Sequence, residues 1–160
     1  MQRLLKLLEK AIVFVSTAIL VSALFLMVVI GALQIILRNI FASGLIWGDS
    51  VFRVLVLWVG FPAGVIATSR GRHIKIDLVG AFGIKQGARF VGVILSLFAS
   101  FISLVLGIFS TRFVLSSAES GDILAGNIPM WVAEVIIPIS FYFTSCVFLI
   151  HAARGEDRGI

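Results

Sequence analysis

Apolar positions along this chain fall in long unbroken runs. They show neither the alternation of a half-buried strand nor the one-sided stripe of a soluble helix. No charged residue occurs from Ala11 to Leu37. A helix of that length spans about 40 Å, against a hydrocarbon core of about 30 Å, so it must tilt or project beyond the lipid. Further runs occupy residues 47–69, 90–115 and 130–153. In the second, Asp49 and Arg53 precede the charge-free part, which puts that end at an interface or against protein. The pattern predicts an all-α integral membrane protein, one membrane domain over residues 1–160 with four long, tilted transmembrane helices.

The polar segments set the orientation. With the N-terminus inside, Arg3, Lys6, Lys10, Arg70, Arg72, Lys75, Lys85, Arg89, Arg154 and Arg158 are cytoplasmic, ten of the thirteen Lys and Arg. Arg38, Arg53 and Arg112 lie outside. Basic residues are retained on the cytoplasmic side, so both termini are expected there. Arg3, Lys6 and Lys10 before an apolar run mimic a signal peptide, but the run exceeds the about 7–15 residues of an h-region, so an uncleaved helix is expected. Between Arg70 and Arg89, apolar Ile74, Ile76, Leu78, Val79 and Phe82 mix with charges. That cytoplasmic loop is expected to lie partly in the headgroup layer. The outer loop 118–127 is small and polar, and Pro129 suits the first turn of the last helix.

Composition agrees with this reading and narrows the chemistry. The chain is 60% hydrophobic and 13% charged, with mean hydropathy +1.15, more apolar surface than a core this small can hide. A net charge of +5 without a soluble basic face argues for membrane lipids and against nucleic acid as a partner. The single Cys146 sits in an apolar run and reads as filler. His73 and His151 fall outside mid-span, so paired haem ligands are missing, and no acid occupies mid-span as a proton-driven pump would require. No catalytic role, cofactor or metal is expected.

Candidate contact residues remain. Asp49 and Arg53 are four apart on one helical face, forming an interfacial ion pair or an anchor for another subunit. Glu134 stands near the outer start of the last helix, where the helix dipole favours an acid. Gly60 and Gly64, with Ala63 and Ala67, make one small-residue stripe, and Ala99, Ser103 and Gly107 another. Such stripes let helices approach closely in lipid, within this chain or against a partner. Pro62 and Pro138 are expected to bend their helices and free the carbonyls of Trp58 and Glu134. Trp47 and Trp131 fall at the outer interface, whereas Trp58 lies nearer mid-span and is expected to pack on a helix.

Residues 30–80 carry a family resemblance that extends to the whole chain in length and topology. Arg38 and Phe41, then Trp47 and Asp49, Arg53, Trp58, and the loop residues Arg70, Gly71, His73, Ile74 and Asp77 resemble the small membrane (Q-type) subunit of tripartite ATP-independent periplasmic (TRAP) transporters. Ile128, Pro129, Met130, Trp131 and Pro138 are similar to that family's last helix. Two departures are a lone acid, Asp49 between Gly48 and Ser50, and Pro62 where a small residue is usual. The resemblance implies a non-enzymatic, inner-membrane subunit of a sodium-coupled importer of organic acids. It would brace a large multi-spanning, elevator-type subunit and help dock a periplasmic substrate-binding protein. The interface candidates are Arg38, Trp47, Asp49 and Arg53 on the outer face, Trp58 nearer mid-span, and Arg70, His73, Lys75 and Asp77 on the inner loop. The rival readings are an independent homo-oligomeric transporter and a membrane anchor of a redox complex.

Overall fold

The computed structural model describes residues 2–41, 47–70, 88–124 and 128–154. The chain forms α1 (Gln2–Phe41), α2 (Gly48–Ser69) and α3 (Ala88–Ser120), a two-residue antiparallel pair β1 (Ile123–Leu124) and β2 (Ile128–Pro129), then α4 (Met130–Glu134) and α5 (Ile136–Arg154). Four helical segments are long and apolar enough to cross a membrane, α4 and α5 together making the fourth. The interfacial loop expected after Arg70 lies outside the described residues.

Local chemistry explains the boundaries. The first helix runs well past its charge-free stretch at both ends, because Leu, Lys, Glu and Gln are good helix formers and nothing there interrupts hydrogen bonding. At about 1.5 Å per residue α1 is about 60 Å long, twice the hydrocarbon thickness. The third helix stops at Gly121, whose φ of +69° suits glycine and ends the α-helical ladder. Met130 N–H then donates to Asp122 O at 2.9 Å, closing the hairpin that turns the chain into α4. The two prolines behave differently. The second helix continues through Pro62, whereas the last span is interrupted at Val135, one turn before Pro138. Pro138 has no N–H for the Glu134 carbonyl, and Val135 N–H bonds Trp131 O at 3.0 Å across the break.

Packing follows the order α1, α2, α5, α3. The first helix lies along α2, α2 also along α5, and α5 along α3, while α1 and α3 form the flanks. The molecule is therefore closer to a slab than to a closed bundle. Its tightest seam joins α3 and α5. Ser100 Oγ and Ser145 Oγ each reach the other residue's carbonyl, at 3.1 and 3.0 Å. Further along, Tyr142 lies on Gly107, and its hydroxyl is 3.0 Å from Thr111 Oγ1. The small-residue stripe Ala99, Ser103, Gly107 is thus used inside the chain. On the flanks, side chains such as Phe14, Phe25, Phe98 and Phe109 are exposed, as a lipid-facing surface requires.

Candidate functional site

Charged side chains among the described residues gather towards the two ends of the slab. One end carries the start of α1 and the end of α5, and a buried cluster forms there. Glu9 of α1 accepts from Arg154 Nη1 of α5 at Oε2, at 2.5 Å. Its Oε1 accepts from Ser69 Oγ of α2 at 3.0 Å and lies 3.5 Å from His151 Nε2. The Arg154 side chain is only 2% exposed and that of Glu9 12%. Burial disfavours the carboxylate charge, and the Ser69 hydroxyl, His151 and Arg154 compensate for it. The cluster sets the level of three helix ends against one another.

The opposite end holds the sequence-predicted outer residues. Asp49 accepts from Gln34 Nε2 of α1 at 3.1 Å, which ties α1 to α2. The expected Asp49–Arg53 pairing is not among the ion pairs of the described residues, and the acid looks across to α1 instead. Arg53 and Arg38 are exposed, and Trp47 is exposed at the first turn of α2. Trp58 packs on a neighbouring helix, its Nε1 donating to Ala133 O at 3.0 Å and so fastening α2 to α4. Glu134, expected near an interface, is buried at 7% exposure beside the Val135 break. A largely apolar groove of about 410 Å³ opens between α3 and that break, lined by Val114, Leu115, Trp131, Val135 and Pro138, with Thr111 at its wall.

At the first end, Arg70 caps α2, its N–H reaching Ile66 O at 3.1 Å, and its side chain is exposed. His73, Lys75 and Asp77 lie outside the described residues, so this inner candidate set is represented by Arg70 alone. Glu9 and Arg154 escaped the sequence reading because their partners are 145 positions apart. The available signal was a lone acid among Arg3, Lys6 and Lys10, before a charge-free run.

The Gly60–Gly64 stripe contrasts with the Gly107 stripe. A Cβ built on Gly60 or Gly64 meets no described atom within 4 Å. On the same face of α2 stand Asp49, Arg53, Val56, Ala63 and Ala67, by 3.6-residue periodicity. No group of three or more metal-binding side chains occurs among the described residues.

Among the described residues, the charged side chains thus stand towards the ends of the spans, and one face of α2 is notched at Gly60 and Gly64. The family comparison supplies the class. Residues 27–158 match the family described as tripartite ATP-independent periplasmic transporters, DctQ component. The chain belongs to this family of small TRAP permease subunits, a transporter component of the inner membrane and not an enzyme. It is similar to the ectoine TRAP transporter small permease protein TeaB of Halomonas elongata, 27% identical over 123 residues, 76% of this chain. The match spans 64% of that relative's length. No solved structure matches.

Proposed function

We propose that this subunit works as a fixed brace for a large multi-spanning TRAP subunit in a sodium-coupled importer of an organic acid. The observation that carries the reading is the placement of charge. Every described Asp, Glu, Lys, Arg and His side chain lies towards one end or the other of its span, and the hydroxyls of Ser100, Ser145, Thr68 and Thr111 are engaged in hydrogen bonds. Such an interior has little with which to hold an ion, but it can stiffen a neighbour that does. The slab order α1–α2–α5–α3 offers breadth in the membrane plane, as an anchor needs when a transport domain moves against it.

The large subunit docks on the α2 face that carries Gly60 and Gly64. The open notch there accepts a partner helix closely, and neighbouring helices in lipid associate through such small residues. Arg38, Trp47, Asp49 and Arg53 form the periplasmic rim where the substrate-binding protein lands. Arg70, His73, Lys75 and Asp77 hold the cytoplasmic loop against the large subunit or lipid headgroups. The ectoine in the relative's name is one example of a solute for such a system.

The test is uptake by liposomes containing the large subunit, the binding protein and an inward sodium gradient, with and without this chain. Uptake is expected to require all of them. Undiminished uptake without this chain would remove the brace from the mechanism.

A further inference from the structure

The start of α1 has a feature that the brace reading does not use. Glu9 contacts Ser69, the last residue of α2, and Arg154, the last described residue of α5. Those contacts set Glu9 level with the last turn of α2 and with Arg154 of α5. The first helix continues past that level for about two more turns, roughly 10 Å. A headgroup layer is about 5–7 Å deep, so these turns cross it.

The side chains on this projection, and Lys10 just below it, are sorted by face. Arg3, Lys6 and Lys10 follow i, i+3, i+7 spacing, share one face and are all exposed. Leu4, Leu7 and Leu8 occupy a neighbouring face and are also exposed. Glu9 is the sole acid before Asp49 in the sequence. It lies about 100° round the helix from Lys10 and points into the protein, where Arg154 neutralises it. The basic stripe is therefore uncompensated from within its own segment. Among the described residues Arg3, Lys6 and Lys10 have no ion-pair partner.

We infer that Arg3, Lys6 and Lys10 form a binding site for the phosphodiester of an anionic phospholipid in the leaflet on this side, with the acyl chains lying along the apolar face of α1 below. The occupant is fixed by two features. The charge is purely cationic, and it stands directly above a lipid-facing hydrocarbon surface that includes Phe14, 75% exposed and one turn beyond Lys10. A soluble anion would use the charge but not the apolar face. The inference does not depend on the brace reading.

The experiment uses the full chain carrying Phe14→Trp in phosphatidylcholine nanodiscs containing a minor fraction of phosphatidylglycerol. Bromine is placed on the acyl chains of either lipid in turn, and quenching is compared after subtracting the signal of the chain without Trp at position 14. Each basic side chain near an anionic surface adds about fivefold to association, so quenching should favour phosphatidylglycerol at least threefold over its bulk share. The preference should fall to unity in R3Q/K6Q/K10Q, persist in K6R/K10R and weaken with salt. Helicity by circular dichroism checks folding, and Lys6→Gln alone, expected to lower the preference partway, serves if the triple variant does not fold. A preference near unity in the unaltered stripe, or one that survives loss of the charges, overturns the site. So does its abolition by inorganic phosphate but not by chloride at equal ionic strength, which would make the ligand a free anion.

Discussion

Glu9 meets side chains from two other helices, and its removal takes away the carboxylate that buried Arg154 Nη1 bonds. Breaking a buried ion pair from one side costs about 3–5 kcal/mol, while replacing both partners with apolar groups costs far less. Glu9→Gln should therefore lower the melting temperature of the purified chain in detergent sharply. Glu9→Leu combined with Arg154→Leu should recover a good part of the loss. A double variant no better than the single one would mean that the pair itself stabilises the fold. Glycine contrasts provide a second residue-scale prediction. A Cβ at Gly107 would stand 3.0 Å from the Tyr142 ring, which its hydroxyl contact with Thr111 helps to hold in place. Gly107→Ala should destabilise by about 1–3 kcal/mol in the same melting assay. Gly60→Ala meets open space and removes a flexible helix residue, so it should leave the isolated chain as stable or raise it by up to about 1 kcal/mol.

Between elements, short polar clamps hold apolar helices in register. Ser100 and Ser145 exchange hydrogen bonds across the α3–α5 seam, in a setting where interhelical bonds contribute about 0.6 kcal/mol on average and at most about 1.7. A double-mutant cycle on Ser100→Ala and Ser145→Ala, read by denaturant titration, should give a coupling in that range; a value near zero would make the contact incidental. The last span offers a sharper case. Pro138→Ala restores the N–H that the Glu134 carbonyl lacks, so α4 and α5 should fuse through Val135. Slower hydrogen exchange at residues 135–138 would report the fusion. How much of this was legible beforehand depended on the range of the cause. Spans, the Gly107 stripe and the Pro138 break follow from local pattern, since hydropathy, small-residue spacing and a missing donor act within a few turns. The Asp49 partner was misread because spacing offered Arg53 four residues on, while the actual contact, Gln34, belongs to another helix. The Glu9–Arg154 cluster was invisible for the same reason, as was the level it imposes on three helix ends. The inner-loop candidates His73, Lys75 and Asp77 stand on the family resemblance alone.

For the whole molecule the decisive feature is that its helices line up in a slab, with α1 and α3 on the flanks and one α2 face notched at Gly60 and Gly64. A closed bundle would turn its small residues inward, as the Gly107 stripe does here. A brace must instead keep a surface on which another protein can seat. Backbone approach in lipid depends on the absence of side-chain bulk, so filling the notch should separate folding from assembly. Gly60→Leu and Gly64→Leu are expected to melt like the parent chain in detergent, because no described atom lies within 4 Å of the added Cβ. Co-purification with the large subunit should nonetheless fall at least tenfold, and sodium-driven uptake in reconstituted liposomes should fall with it. Bulk added on a flank, for example at Val91, exposed on α3, should do neither. If the leucine variants retain full assembly and uptake while a large residue on α3 abolishes them, the large subunit sits against that flank. The notch would then face lipid, and α2 would serve only to hold α1 and α5 together.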